Sequence, residues 1–577
     1  MSQIAVKATG VSPETNRSNL RGGRGLFELA LLFAGAAAVL FLLSNRVVSP
    51  FDEGILLTGA MRTAAGQILH KDFYYDYGPG QLYLLAGWFK LFGPSVLAER
   101  LTNAFFCSGV VVTIYVLARR FCGRVLTAAA MVLCIVWLIG LMMPESMMYP
   151  AQSLLALWTS WLVIPVRDDG VQRRRALGAG FLAAMMFLFR YDKGLGIVAA
   201  NFMAIAIMRW MQPPAVRRSP KELIAREIGP YLAAFSIIVI PAAIAYLSVA
   251  PIYDLLYDVV IYMAKYYRVG RGQPLPKLQL GPMFREDAVY LLPIILVLGF
   301  WLAGRWVITR RRAAADESAA QAPEWMNLLV SLGIAAVMLS ARGLVRAGVG
   351  AVCECIMACM LIVAILLEHR ALLNVWLRAL LIATTILLVV TGMVAARIQL
   401  LYPTRMHDRI HLAPLAVNWI LTPNRQPPRA EFRSWCQEDT PITRGFCFLL
   451  DEDHMQAIRY LDAHTHPGDY LYTGLPHHDR IIMNDNVLYF AVQRLPAVRW
   501  SQFDPFLENR ADIQQEMIGS LEQRKPPYVV LDSEYDNVWE PNGSSVHTGV
   551  HLLDNYIAAH YKAVQQYGEL TILQRQD

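Results

Sequence analysis

Apolar stretches of bilayer length fill the first two thirds of this chain and decide what it can become. Residues 26–43 read LFELALLFAGAAAVLFLL, with one charge near the start. Similar runs recur to about residue 396 and then stop. Each has the length that crosses about 30 Å of hydrocarbon as a helix. A backbone inside lipid must satisfy its own hydrogen bonds, so a span is a helix or part of a closed barrel. These runs lack strand-like alternation, which predicts helices. Of the 577 residues only 17% are charged, against roughly 25% in an ordinary soluble domain.

The predicted spans are 26–46, 97–118, 125–143, 150–166, 176–189, 194–211, 230–250, 288–304, 326–341, 346–367 and 377–396. That makes about 11 spans. Segment 79–93 (PGQLYLLAGWFKLFG) is short for a span and carries Lys90. If it does not cross, Arg17, Arg21 and Arg24, Arg119, Arg120 and Arg124, Arg173–Arg175, Arg217–Arg218 and Arg310–Arg312 all fall on one side. The positive-inside bias asks for that arrangement, so 79–93 is read as interfacial or re-entrant. The N-terminus is then cytoplasmic and the C-terminus outside. Residues 1–25 are polar and expected to be disordered. The first apolar run is long for a signal-peptide core, and no small-x-small cleavage site follows it before the acidic pair, so it is read as an uncleaved span.

The expected organisation is a disordered tail over 1–25, a multi-span domain over 26–396 with an outer loop at 47–96, and an α/β domain over 397–577. In the last, helix-like segments near 453–464 and 509–524 alternate with strand-like Asp469–Thr473, Tyr528–Asp532 and Glu569–Gln574. In loop 251–287, Tyr253 and Tyr257, then Tyr262 and Tyr266, stand four apart. With Lys265, Arg268 and Arg271 they predict an interfacial helix with an aromatic belt. Six cysteines lie in apolar runs as small hydrophobes. Cys436 and Cys447 could pair if their domain faces an oxidising compartment, which spacing alone does not decide. The net charge of +7 sits between spans rather than on one face of a soluble module, which argues against a nucleic-acid partner.

The first outer loop opens Ser49-Pro50-Phe51-Asp52-Glu53-Gly54. A proline ends the first span and a second helix starts at the carboxylates. Asp52 and Glu53 then either cap exposed amides or supply a base that takes a proton at the membrane surface. Composition leaves both readings open. Glu145, at the outer end of the third span, is a second acidic candidate. Cations gather at outer span ends, against the positive-inside bias: Arg190 and Lys193 in Arg190-Tyr191-Asp192-Lys193-Gly194, and Arg342 and Arg346 in Arg342-Gly343-Leu344-Val345-Arg346. The pairs His464/His466 and His477/His478 complete no metal-ligand pattern. No glycine-rich nucleotide loop is present, which argues against a cytoplasmic nucleotide-sugar enzyme.

After the acidic pair come Gly66-Gln67-Ile68-Leu69-His70-Lys71-Asp72-Phe73-Tyr74-Tyr75-Asp76-Tyr77-Gly78-Pro79-Gly80, an apolar helix ending Lys90-Leu91-Phe92-Gly93, and Glu99-Arg100-Leu101. This order resembles the GT-C membrane glycosyltransferases, nearest the bacterial relatives of protein O-mannosyltransferases and the lipid A aminoarabinose transferase. The resemblance is dense over about residues 45–125 and collinear to about 400. It implies a bacterial inner-membrane enzyme that moves a sugar from a polyprenyl-phosphate donor to a glycan, lipid or protein acceptor at the outer face, with inversion. It places Asp52 and Glu53 at the reaction centre, and Lys193, Arg190, Arg342 and Arg346 on the donor phosphate. Lys71, Asp76, Tyr77 and Glu145 become acceptor or accessory candidates. The family usually has Pro-Pro where this chain has Gly78-Pro79. A leaving phosphate needs cations rather than an acid, supplied by Lys and Arg or by a divalent cation. No other cofactor is implied, and the membrane lipid itself is the remaining partner. The competing reading is a lipid or small-molecule transporter or flippase, but the chain lacks paired repeats and matched broken helices. A non-catalytic scaffold leaves the cations around the acidic pair unexplained.

Overall fold

The computed structural model describes residues 23–44, 47–141, 143, 148–212, 217–276, 284–313, 322–401 and 434–576. The chain is a bundle of helices topped by a small mixed sheet. The bundle is formed by α1 (Gly23–Leu43), α4 (Val96–Phe121), α5 (Arg124–Gly140), α6 (Met148–Leu162), α7 (Asp169–Phe189), α8 (Tyr191–Met211), α9 (Pro220–Leu247), α11 (Phe284–Ala313), α12 (Glu324–Leu339), α13 (Cys353–Glu368) and α14 (Val375–Leu401). Three further helices, α2 (Asp52–Ala64), α3 (Gly80–Phe92) and α10 (252–271), lie outside the bundle proper.

Eight helices among the described residues are long and apolar enough to cross a membrane: α1, α4, α8, α9, α11, α12, α13 and α14. The chain is an integral membrane protein. Every span expected from the sequence falls on a helix, but length and composition support eight rather than eleven. α5 and α6 are short, and the first turns of α7 carry Arg173–Arg175. Those arginines are helical rather than in a loop. Asp168 caps the helix by accepting from Val171 N at 2.8 Å, and Arg175 turns back to the carbonyls that end α6.

The helices alternate in direction, and this sorts charge. At one end Arg120 pairs with Glu324 at 2.6 Å, Arg218 with Asp169 at 2.5 Å, and the Glu368 carboxylate accepts from Gly123 N at 3.0 Å. At the other end lie Arg100, Arg190 and Arg342, at the start of α4, the turn between α7 and α8, and the end of α12. α13 runs down the middle, almost wholly buried.

The C-terminal sheet has the order β2-β1-β3-β5-β4, with β1 (Tyr470–Gly474), β2 (Leu495–Pro496), β3 (Tyr528–Asp532), β4 (Tyr561–Tyr567) and β5 (Leu570–Arg575). β1 lies parallel to β2 and β3; β3–β5 and β5–β4 are antiparallel. Alternation along β1 sends Leu471 to one face and Tyr472 to the other. The first face packs on α15 (Glu452–His464) through Met455, Ile458 and Leu461, and joins one core with Leu57 of α2 and Leu82 and Phe89 of α3. The second packs on α17 (Ala511–Arg524) and α18 (Leu552–His560). The short helix α16 (Val487–Ala491) stacks Phe490 on Phe89, ring centroids 5.6 Å apart. The sheet domain is thus not a detached module, because it shares its core with loop 47–96 of the membrane part.

α3 has 13 residues, too few to span, and its buried face serves the sheet domain. Tyr83, Trp88, Leu91 and Phe92 remain exposed on its other side, the division expected of an interfacial helix. α10 is also amphipathic, and its tyrosine row is divided between the sheet domain and the exposed face. Tyr262 is buried and donates to Pro505 O at 3.0 Å, and Tyr266 stacks on Phe506. Ile252, Tyr253, Val260 and Val269 form the exposed face.

Candidate active site

Two neighbours on a helix point about 100° apart, and this separates Asp52 from Glu53. Glu53 is buried and held by Arg100, which donates Nε to Oε1 at 2.6 Å and Nη2 to Oε2 at 2.8 Å. Ser49 N donates to the same Oε2 at 2.9 Å. Such a two-pronged buried pair is geometrically stiff, and it fastens α2 to α4. Asp52 makes no hydrogen bond or ion pair among the described residues, and Phe51 at the N-cap gives no side-chain cap. Capping therefore does not account for Asp52.

Asp52 is open to a cleft whose charges are Arg346, Arg342 and Arg271 against Asp504. The surrounding protein strips solvent and raises its carboxyl above the usual carboxylate range, while those three arginines pull it back. Close docking of α2 builds this corner. A Cβ on Gly54 would lie 2.8 Å from Val487 N, and Thr58 donates to Asn486 O at 2.7 Å.

The stretch 66–80 is held from three sides. Buried Arg62 reaches Gln67, Asp72 O, Val498 O and Ser501. His70 and Asp258 pair at 2.9 Å with both side chains fully buried, and Arg499 adds bonds to Asp258 at 3.2 Å and to His70 O at 2.9 Å. One lock therefore joins loop 47–96, α10 and the sheet domain. Gly78 explains the departure from Pro-Pro. A Cβ there would lie 2.3 Å from Leu188 O, so no side chain, proline's included, fits where the turn rides over the end of α7.

The lock delivers Asp76 and Tyr77 to the cleft. Gln502 bridges two carboxylates, donating Nε2 to Asp76 at 3.1 Å and to Asp504 at 3.0 Å. Arg271 holds Asp504 at 2.9 Å, and Tyr74 donates to it at 3.3 Å. Burial first, then the Asp504 charge, pushes the Asp76 carboxyl up to about 7 against the Gln502 bond and the pull of Arg342 and Arg190. Arg190 links α7 to α8, pairs with Asp192 at 2.7 Å and covers the Tyr77 ring at 4.9 Å. Arg342 gives Nε and Nη2 to Tyr267 Oη at 3.0 and 2.6 Å, and its buried Nη1 has no partner among the described residues. Arg346 lies 3.4 Å from Glu540.

The structure thus brings Asp52, Asp76, Tyr77, Arg190, Arg342 and Arg346 together. It does not bring Lys193 to them as a phosphate ligand. The Lys193 ammonium turns inward to Leu339 O at 2.5 Å and Glu354 at 3.3 Å, where it fixes the turn that carries Arg342. Lys71 is exposed away from the lock, and Glu145 lies outside the described residues. Sequence reasoning missed Gln502 and Asp504, which sit more than 400 positions from Asp76 in a loop without a motif. Arg271 was visible only as a belt residue, and Tyr267 was not singled out.

Residues 76–218 match the family model described as dolichyl-phosphate-mannose-protein mannosyltransferase. No curated protein matches the sequence. Among solved structures, ArnT from Cupriavidus metallidurans in the apo state is similar at 12% identity over 95% of this chain and 98% of that chain, with a TM-score of 0.51. ArnT from the same organism bound to undecaprenyl phosphate gives 12% identity, 94% and 97% coverage and a TM-score of 0.49. Arabinofuranosyltransferase AftD from Mycobacteria gives 14% identity over 96% of this chain and 40% of that chain, with a TM-score of 0.47. Over nearly its whole length the chain has the fold of the apo ArnT structure.

Proposed function

We propose that this protein is a glycosyltransferase that moves a sugar from a polyprenyl-phosphate donor to an acceptor hydroxyl at the outer membrane surface, with inversion. The observation that carries the reading is Asp52: a carboxylate without a hydrogen-bond partner among the described residues, open to a cleft faced by Arg271, Arg342 and Arg346. In this reading Asp52 accepts the proton of the acceptor hydroxyl as its oxygen attacks the anomeric carbon. The bond from that carbon to the phosphate oxygen breaks, and the phosphate leaves with the electron pair. Arg342, with a free Nη1, takes the developing charge together with Arg346 and Arg190. A raised carboxyl makes Asp52 a better base near neutral pH.

Glu53 and Lys193 are positioning residues here, one fixing α2 and the other the Arg342 turn. The basic helix ends on the opposite side of the bundle support a cytoplasmic location for that side. The Cys436–Cys447 disulfide supports an oxidising compartment for the sheet domain.

The test is release of polyprenyl phosphate from defined polyprenyl-phosphate sugars by the purified protein. Asp52→Asn should lower the rate by about 10²–10⁴-fold with little change in donor binding. Full activity of this variant would sink the assignment. A chelator in the same assay separates arginine from a divalent cation as the source of positive charge.

A further inference from the structure

A cavity of about 140 Å³ opens in the sheet domain beside the cleft, lined by His477, Arg480, Ile482, Tyr535, Asp536 and His547 among others. It is far larger than the roughly 10–15 Å³ that admits one water, and it lies below the usual size of a site for an extended ligand. Its wall is shared with the reaction centre. Ile482 O accepts from Arg271 at 2.6 Å. Ile482 and Tyr535 pack together against Phe51, the residue before Asp52.

The lining says what chemistry fits. Arg480 is the obvious cation, but its guanidinium is taken up by the carbonyls of Val538, Tyr535 and Asp536. It shapes the wall rather than offering charge to an anion. Asp479 takes the Nδ1 proton of His547 at 2.9 Å, which leaves Nε2 as an acceptor when the ring is neutral. His477 is exposed and makes no hydrogen bond among the described residues, and the half-buried Asp536 carboxylate makes no side-chain hydrogen bond there, although the charges of His477 and Arg480 act on it. The free groups are therefore a mixture of donors and acceptors beside an aromatic wall. Hydroxyl groups, each both donor and acceptor, match such a lining. A phosphate or a plain apolar group does not.

The same loop leads back to the cleft. Two residues past Val538, Glu540 meets Arg346 at 3.4 Å. Between them Trp539 stands 71% exposed, with a broad face available for a sugar ring.

We propose that this cavity, with Trp539 on the loop that runs from its wall to the cleft, is an acceptor subsite that binds a saccharide ring and leads the acceptor chain toward Asp52. The proposal deepens the glycosyltransferase reading and rests on it, and it names the acceptor class as a glycan.

The experiment uses the full-length protein in detergent on an array of immobilised oligosaccharides, without donor. The wild type should be retained on a defined subset of glycans. Asp536→Ala and Trp539→Ala should each cut that signal by about tenfold, the scale of one lost charge-assisted contact for the first and of one lost aromatic face for the second, with melting temperatures unchanged. Failure of the wild type to bind any glycan, or equal binding by both cavity variants, overturns the subsite. Normal polyprenyl phosphate release by Asp52→Asn beside intact glycan binding would instead remove the transferase reading and leave a saccharide-binding site.

Discussion

Asp52 and Glu53 are adjacent in sequence and opposite in fate, and their neighbours in the fold decide it. Two carboxylates after a span were legible as a candidate centre. Their division of labour was not, because it depends on Arg100 for one and on three distant arginines for the other. Asp76 shows the same limit, since its acidity is set by burial and by Asp504 from the far end of the chain. That gives a pH prediction. An Asp76 carboxyl near 7 should place an inflection in the rate profile close to neutrality. Asp504→Asn removes a negative neighbour and frees Arg271, and both changes favour the ionised form. The inflection should therefore move to lower pH, and Asp76→Asn should abolish it. A profile of turnover against pH for the three proteins checks this, and an unmoved inflection in Asp504→Asn would break the link between the two carboxylates.

Elements were readable where periodicity and length were strong. Strand β3 falls where Tyr528–Asp532 predicts it, and α15 and α17 fall within two residues of expectation. β4 was not readable, because it is an edge strand whose YKAVQQY is mostly exposed and carries no apolar alternation. α10 was seen as a helix but assigned to lipid, since a tyrosine row at helical spacing looks the same whether it faces headgroups or a folded domain. The Gly78 turn is where an element boundary is fixed by close approach rather than by propensity. Gly78→Ala would force a Cβ against the backbone of Leu188 and should cost about 1–3 kcal/mol. Gly87→Ala, inside α3 with open space around it, should stabilise by about 0.5–1 kcal/mol. Thermal melts of the two variants test the contrast, and a Gly78→Ala protein as stable as the wild type would contradict the packing.

At the scale of the whole molecule, the membrane bundle and the sheet domain meet through α2, α3 and α10, and the cleft lies in that seam. The architecture follows from an alternation of helix directions that leaves arginine-rich ends on one side and the cleft on the other. The number of crossings is less legible than their sense. Short helices such as α6 bury in the bundle without carrying a full apolar span, yet each still reverses the chain. The basic ends predict the orientation, because the positive-inside bias acts on short loops of this kind. The six free cysteines are all buried, so background reactivity toward an aqueous maleimide should be low. Arg174→Cys, at an exposed position in the first turns of α7, and Glu516→Cys, on the exposed side of α17, then report the two sides. A membrane-impermeant maleimide added to intact cells should label Glu516→Cys at once and Arg174→Cys only after the membrane is opened. The reverse pattern would put the cleft in the cytoplasm, where the Cys436–Cys447 disulfide would meet a reducing milieu and an outer-face acceptor would be out of reach.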